Sequence, residues 1–211
     1  MAARVITIAQ QKGGAGKTTL AVNLGLTALE FGLRVALVDI DPQGSLSRWA
    51  ALRRATPGTT PIELSTVTGW RAANEINGLS VDHDLVVVDS PPHALTDAKV
   101  VIRAAHLVVV PVQPSPLDLW ATKPTIELAE GERKKPVLVL NRVPARSPIA
   151  KEMAAAVAEL GAWLAQAKLG NRSSFAASMA QGRSVREAAP GTIGAREAGK
   201  LTREILALAG C

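Results

Sequence analysis

The chain has 211 residues, of which 47% are apolar, so it is long enough to bury one globular core and too apolar for intrinsic disorder. Its single cysteine, Cys211, excludes an internal disulfide and any site that needs several cysteines of one chain. The sequence shows neither an apolar run that could span a bilayer nor a signal-peptide pattern. We therefore expect a cytoplasmic protein with one domain over residues 1–211.

The net charge of +6 is unevenly distributed. Residues 1–130 contain 11 Lys or Arg and 12 Asp or Glu, whereas residues 131–211 contain 13 basic and 6 acidic residues. The two parts therefore carry net charges of −1 and +7. A basic segment of this kind is either an ordinary solvated surface or a face that binds a polyanion, and the charge alone leaves both interpretations open.

Valine-rich apolar runs alternate with helical patterns along the chain. In chain order we predict a strand at 4–9, a helix at 17–31, strands at 34–39, 61–64 and 84–89, a helix at 97–105, a strand at 106–112, a helix at 117–130, strands at 136–141 and 163–169, and a helix at 195–208. This alternation is typical of an α/β fold with right-handed crossovers. The predicted fold class is a doubly wound, mostly parallel sheet flanked by helices.

The segment Q-Q-K-G-G-A-G-K-T-T, residues 10–19, connects the first strand to the first helix. Its glycines allow backbone N–H groups to surround phosphate oxygens, and the helix start adds its dipole. Lys17 is placed to reach the β- and γ-phosphates, and the Thr18 hydroxyl to ligate Mg²⁺. The predicted phosphate-binding residues are Gly13, Gly14, Ala15, Gly16, Lys17, Thr18 and Thr19. Two departures from G-x-x-x-x-G-K-[ST] stand out: Gln11 replaces the first glycine, and Lys12 is a second lysine.

Aspartates close two further strands, in D-I-D-P-Q at residues 39–43 and in D-S-P-P at residues 89–92. Ligands of open α/β sheets bind at the carboxyl ends of the strands. One such aspartate alone is often a helix cap, but two beside a phosphate loop favour Mg²⁺ and an attacking water. We predict that Asp89 holds a water on Mg²⁺, and that Pro91 and Pro92, with His93 beside them, form a stiff loop that senses the γ-phosphate.

Together these motifs resemble the ParA/MinD family of ATPases, which have a deviant Walker A phosphate loop. The resemblance is carried by K-G-G-A-G-K-T-T, D-I-D-P-Q and D-S-P-P, and it extends over essentially the whole chain. The stretches V-P-V-Q-P-S-P-L-D-L-W-A-T and S-F-A-A-S-M-A-Q-G-R-S-V are more narrowly similar to small ParF-type ParA proteins and to relatives that position carboxysomes.

The resemblance implies an ATP- and Mg²⁺-dependent homodimer in which Lys12 contacts the phosphates of the partner subunit's nucleotide. It implies that Asp41 positions the hydrolytic water and that Asp39 supports the Mg²⁺ shell. It also implies that Asn141 reads the adenine edge, although an asparagine after a strand is an ordinary turn residue as well. The predicted catalytic residues are thus Lys12, Lys17 and Asp41, and the predicted metal-binding residues are Thr18, Asp39 and Asp89.

For the basic C-terminal part, the resemblance implies non-specific DNA binding and therefore association with the nucleoid. The candidate DNA contacts are Arg172, Arg183, Arg186, Arg196, Lys200 and Arg203, and for each of them a solvated surface position is an equal interpretation. A small activating partner protein would stimulate an otherwise slow hydrolysis. The cargo would be a plasmid, a chromosome region or a protein body such as a carboxysome.

Two alternative functions remain on the same fold. A MinD-like membrane switch is disfavoured because the C-terminal segment L-T-R-E-I-L-A-L-A-G-C lacks a separate basic amphipathic extension. An ATP-dependent ligase or synthetase would need a second polar pocket, and the sequence offers no further cluster of catalytic residues. Because no helix-turn-helix precedes the loop, we do not expect operator-specific repression.

Overall fold

The computed structural model describes residues 3–92, 95–145 and 148–211. These residues form a seven-stranded sheet of order β3-β2-β4-β1-β5-β6-β7, in which every pair of neighbouring strands is parallel. The strands are β1 (Arg4–Ile8), β2 (Val35–Asp39), β3 (Glu63–Thr66), β4 (Leu85–Asp89), β5 (Leu107–Val112), β6 (Pro136–Leu140) and β7 (Trp163–Leu164). The predicted doubly wound α/β fold is confirmed, and its sheet is parallel throughout.

Helices connect the strands of the described part. They are α1 (Lys17–Glu30), α2 (Ser45–Ala55), α3 (Ala72–Asp82), α4 (Leu95–Ala104), α5 (Pro116–Trp120), α6 (Lys123–Gly131), α7 (Ile149–Glu159), α8 (Ser173–Met179), α9 (Val185–Ala188) and α10 (Ile193–Ala209), with a 3₁₀ turn at Gly69–Arg71. None of these helices is both long and apolar enough to cross a membrane.

The order of the strands brings the functional segments to one edge of the sheet. Strand β1 lies between β4 and β5, and β2 pairs with the other side of β4. In this register Ile8 is paired with Asp89, and Asp89 is paired with Asp39. Both aspartates therefore lie beside the loop that follows β1, at the carboxyl ends of the strands, where ligands of open α/β sheets bind.

Helix α1 carries the loop and is fixed firmly against the sheet. It packs on β2, β4 and α10, and a Cβ at Gly25 would lie 2.6 Å from Leu37 Cδ2, so a side chain there would force the buried leucine to shift. Its apolar residues Leu20, Leu24 and Leu26 are buried in the core cluster on this face of the sheet. The start of α1, which holds the phosphate-binding residues, is thus positioned by core packing.

The predicted helix at 117–130 is wrong as a single helix, because the chain breaks it into α5 and α6. Pro124 lies in the first turn of α6, where its missing N–H and its ring prevent α5 from continuing. Ser115 caps α5 by accepting a hydrogen bond from the Asp118 N–H.

The two edge strands also differ from their predictions. Strand β3 begins at Glu63 rather than at Pro61, which has no N–H for a sheet ladder. Strand β7 ends after Leu164, because the N–H groups of Gln166 and Ala167 donate to the carboxylate of Glu204 on α10 at 2.7 and 2.8 Å. The helices α2, α3, α7, α8 and α9 were not predicted at all.

Candidate functional site

The loop between β1 and α1 has the backbone that its glycines suggested. Gly14 and Gly16 adopt φ values of 75° and 92°, which side chains rarely tolerate, and Gly16 forms the N-terminal cap of α1. Gln11 does not have a positive φ, since the only non-glycine residues that do within the described ranges are Arg133 and Arg142. The missing first glycine therefore costs the loop no backbone strain.

Gln10, which the sequence analysis did not single out, links the loop by hydrogen bonds to α6 and to Thr122, the residue before α6. Its side chain is buried, and its Nε2 donates to Thr122 Oγ1 at 2.9 Å. Thr125 Oγ1 donates to Gln10 Oε1 at 3.2 Å and accepts the N–H of Gln11, also at 3.2 Å. No sequence signal marks these contacts, because more than 100 residues separate the partners.

Lys17 is a buried cation at the base of the loop. Its side chain is only 7% exposed, and its Nζ donates to the backbone oxygen of Gln10 at 3.0 Å. Burial lowers the pKa of Lys17, an effect that the carboxylates of Asp89 and Asp41 oppose. A buried ammonium ion with one neutral hydrogen-bond acceptor is poorly compensated, so an anionic ligand at this point would stabilise its charge.

Thr18 and Asp89 meet directly beside Lys17. Thr18 Oγ1 donates to Asp89 Oδ2 at 2.6 Å, while Asp89 Oδ1 is buried and has no hydrogen-bond partner among the described residues. Burial raises the pKa of Asp89 to about 7, against the lowering effects of the Thr18 hydrogen bond and of the Lys17 charge. The sequence-predicted pair is thus brought together, with one carboxylate oxygen unsatisfied.

The two aspartates after β2 have different environments. Asp39 is fully buried and accepts hydrogen bonds from the Asp41 N–H, the Ser47 N–H and the Ser47 hydroxyl, at 3.1, 2.8 and 2.6 Å. Its carboxylate therefore orients the turn into α2. Asp41 is only partly buried, and its side chain accepts the Gln43 N–H at 2.9 Å while bordering open space above the loop.

That open space is a cavity of about 350 Å³, here called the loop cavity. It is lined by Gly13, Gly14, Gly16, Lys17, Thr18, Thr19, Asp41, Ser45, Pro92, Arg142 and Met179. Pro92 thus borders the loop, while its predicted role in sensing the γ-phosphate stays a prediction, and His93 lies outside the described residues. The cavity collects loop residues, a candidate water-positioning carboxylate and two cationic side chains in one place.

A second cavity, of about 460 Å³, adjoins the loop on the side of β6 and is here called the side cavity. It shares Gly16, Thr19 and Arg142 with the loop cavity. Asn141 lies on its wall but is largely buried: its Nδ2 donates to Ala15 O at 2.8 Å and its Oδ1 accepts the Arg142 N–H at 2.9 Å. Asn141 therefore fastens the loop to β6 in addition to bordering the cavity.

Lys12 lies at the rim of the loop and is bound within its own chain. Its Nζ is 2.8 Å from Asp118 Oδ1 on α5, and 39% of the lysine side chain is exposed. The lysine is thus reachable from outside, yet paired. Sequence reasoning identified Lys12 but gave no sign of Asp118, which lies 106 residues further along the chain.

A family model of the CobQ/CobB/MinD/ParA nucleotide binding domain matches residues 6–185. The chain belongs to this family. It is 33% identical over 211 residues to the maintenance of carboxysome distribution protein A of Halothiobacillus neapolitanus, an alignment that covers 95% of each chain. The ParA/MinD resemblance is confirmed, and the protein is a nucleotide-binding domain of that type.

Two solved structures share the fold of this ParA/MinD-family chain. A Cyanothece McdA variant in complex with ATP superposes with a TM-score of 0.78 at 17% identity and covers 99% of this chain and 96% of its own. MinD of Pyrococcus horikoshii with Mg-ADP superposes with a TM-score of 0.77 at 22% identity, covering 99% and 98%. At these identities the likeness shows the fold alone.

The residues around Asp89 fit a magnesium ion of the kind that nucleotide-binding domains hold. The buried, unpartnered Oδ1 of Asp89 is a strong oxygen ligand or water acceptor, and the Thr18 hydroxyl lies beside it. Mg²⁺ is usually bound by one or two protein oxygens, with phosphate oxygens and waters completing its shell. Asp39 is less suited to direct ligation, because three hydrogen bonds already occupy its carboxylate.

The six basic residues predicted to contact DNA have different environments. Arg172 is paired with Glu197 at 2.6 Å, and Arg186 is paired with Glu30, also at 2.6 Å. These internal ion pairs argue against both arginines as free DNA contacts. Arg183 is half-buried and donates to Pro57 O. The remaining three, Arg196, Lys200 and Arg203, are exposed on α10 with spacings of four and three, so they share one helix face.

Proposed function

We propose that this ParA/MinD-family protein is a positioning ATPase that dimerises on binding ATP, binds DNA non-specifically as a dimer, and releases DNA after hydrolysis stimulated by a partner protein. The observation that carries the proposal is Lys12, a second lysine beside the glycine-rich phosphate loop. Its support is the family match, together with a relative of almost equal length named for the distribution of carboxysomes.

We assign a separate role to each residue at the loop. The backbone of residues 13–19 and the buried Lys17 bind the phosphates. Asn141, on the wall of the side cavity, borders the adenine base. Thr18 and Asp89 hold Mg²⁺, with Asp89 acting directly or through a water, and Asp39 orients the turn behind them. Bound Mg²⁺ supplies charge neutralisation for the transferred phosphoryl group. Asp41, which is only partly buried at the cavity wall, orients the attacking water.

Lys12 is the residue from which we infer a dimer. Its Nζ is held by Asp118 rather than by the chain's own loop, and 39% of its side chain is exposed. Two ATP molecules brought face to face would carry negative charge that requires additional cations. Lys12 leaves Asp118 and binds the nucleotide phosphates of the partner subunit.

The test is the molar mass measured by light scattering with a non-hydrolysable ATP analogue and Mg²⁺. We expect wild type to form a dimer, and Lys12→Ala to bind the analogue but remain monomeric. Lys123→Ala is the matched control, since Lys123 is an exposed lysine on α6 that pairs only with Glu127 among the described residues. A wild-type protein that stays monomeric, or a Lys12→Ala variant that dimerises normally, would refute this proposal.

Vesicle co-sedimentation separates the proposal from a membrane switch. The protein with ATP is mixed either with vesicles containing anionic lipid or with duplex DNA of mixed sequence. We expect ATP-dependent retention on DNA and none on the vesicles. ATP-dependent retention on vesicles without DNA binding would favour the MinD-like alternative.

A further inference from the structure

Two arginines of the described chain have a left-handed backbone. Arg133 and Arg142 adopt φ values of 59° and 54°, a conformation that costs free energy for residues with a side chain. Arg133 follows the end of α6, where a left-handed residue commonly terminates a helix. Arg142 ends no helix, because it follows Asn141, the residue directly after the end of β6 at Leu140. Its conformation therefore needs a different physical reason.

The backbone of Arg142 is linked to the phosphate loop through the side chain of Asn141. Asn141 Oδ1 accepts the Arg142 N–H at 2.9 Å, and the same amide group donates to Ala15 O at 2.8 Å. The fit is close, since a Cβ at Gly16 would lie 2.4 Å from Asn141 Nδ2. Asn141 thus couples the position of Arg142 to the loop and over-determines a backbone conformation that Arg142 would otherwise avoid.

The side chain of Arg142 lies at the junction of the two cavities. It is exposed, it lines both the loop cavity and the side cavity, and its guanidinium group makes no hydrogen bond or ion pair with the described residues. A ligand with phosphates over the loop and a nucleoside in the side cavity would pass beside it. The charge balance also favours a cationic contact, because Asp39, Asp41 and Asp89 surround the loop where Lys17 is the buried cation.

We propose that Arg142 is a nucleotide-binding residue, whose guanidinium group contacts the phosphate chain of the adenine nucleotide in its own subunit. The inference rests on the proposed function, because it adds a residue to the same site. A guanidinium group suits this contact, since it presents several N–H donors to phosphate oxygens and is always charged. The strained backbone directs the Arg142 side chain toward the junction of the loop cavity and the side cavity.

The test compares Arg142→Gly with Arg133→Gly. Glycine accepts a positive φ, so each variant loses the same side chain and the same strain, and we expect each to melt at or above the wild-type temperature. Only Arg142→Gly should bind ADP more weakly, by about tenfold, which corresponds to the loss of one hydrogen bond to a charged group. Affinities for Mg-ADP and for adenosine are measured by calorimetry.

The ligand series distinguishes a phosphate contact from a structural effect. Arg142→Lys keeps the charge and should recover part of the ADP affinity, while adenosine should bind wild type and Arg142→Gly equally. Equal ADP affinities of wild type and Arg142→Gly would overturn this inference alone, as would an equal loss for adenosine and ADP. A wild-type protein that binds no adenine nucleotide would overturn the proposed function as well.

Discussion

The Lys12–Asp118 ion pair is the contact that decides how a single residue could link nucleotide binding to dimerisation. Both side chains belong to one chain, and 39% of the Lys12 side chain is exposed but only 10% of the Asp118 side chain. Water and salt screen a half-buried pair of this kind less than a fully exposed one, so the pair holds Lys12 firmly at rest. In the proposed dimer, the more highly charged polyphosphate of a second nucleotide replaces Asp118.

Removing the charge of Asp118 should release Lys12 for that exchange. We expect Asp118→Asn to dimerise at a lower concentration of the ATP analogue, by about fivefold or more, since a half-buried pair loses at least about 1 kcal/mol of competing attraction. Analytical ultracentrifugation across an analogue titration measures the midpoint. Glu127→Gln on α6 serves as the control, and a higher midpoint for Asp118→Asn would show that Asp118 assists the dimer instead.

Asp41 is the residue on which the proposed chemistry depends. It is only partly buried, borders the loop cavity and accepts one backbone N–H, so its carboxylate is accessible to a water molecule. We expect Asp41→Ala to bind ATP and lower turnover at least about 100-fold, as for the loss of a positioned base. Phosphate release measures turnover, with the exposed Asp82→Ala as control. Unchanged turnover would remove Asp41 from the mechanism.

At the scale of elements, the predicted strands agree best with the structure where both sheet faces are buried. The apolar runs of β2, β4, β5 and β6 are buried at every position, so composition alone marked them. The edge strands β3 and β7 are only partly buried, and their ends depend on Pro61 and on Glu204. Neither dependence is visible as a local apolar pattern.

The loop and the aspartates of the candidate site could be predicted because each motif is contiguous and follows a strand. The contacts that hold them could not, because their partners are distant along the chain. Gln10 meets Thr122 and Asn141 meets Ala15 only after β1, β5 and β6 have been placed side by side. The sequence motifs therefore predicted where the loop and the strand-end aspartates lie, while the order of the strands in the sheet determines which distant residues support them.

Two glycines in helices should respond to alanine with opposite signs. Gly25→Ala in α1 forces a Cβ to 2.6 Å from Leu37 Cδ2, so overpacking of about 1–3 kcal/mol should exceed the helix-propensity gain of up to about 1 kcal/mol. Gly78→Ala in α3 meets no atom within 4 Å and should stabilise by about 0.5–1 kcal/mol. Thermal unfolding measures both, and a stabilised Gly25→Ala would contradict the tight α1–β2 contact.

At the scale of the whole molecule, the acidic residues of the C-terminal part determine which of its basic residues are paired and which are left unpaired within the described ranges. On α10, Glu197 binds Arg172 and Glu204 caps backbone N–H groups near β7, so both carboxylates face inward. The exposed stripe of Arg196, Lys200 and Arg203 is left without a carboxylate partner in the described chain, with Arg203 lying over the Phe31 ring. This α10 stripe is the surface that we propose for the contact with a DNA phosphate backbone.

A pair of triple variants tests whether the stripe or the net charge matters. Replacing Arg196, Lys200 and Arg203 by Gln removes three charges from α10. Replacing Arg133, Lys134 and Lys135 by Gln removes three from the cavity at the amino end of β6, beside Trp163. We expect only the α10 variant to lose most DNA affinity and much of its salt dependence, with ATP-dependent dimerisation intact. Equal losses would point to net charge alone.

The most direct measurement of the central claim is the retardation of duplex DNA of mixed sequence by wild type and Lys12→Ala, each without nucleotide, with ADP and with ATP. We expect wild type to retard DNA only when ATP is present, and less so as the salt concentration rises, whereas Lys12→Ala should not retard DNA under any condition. Nucleotide-independent retardation, or equal retardation by Lys12→Ala with ATP, would contradict that claim.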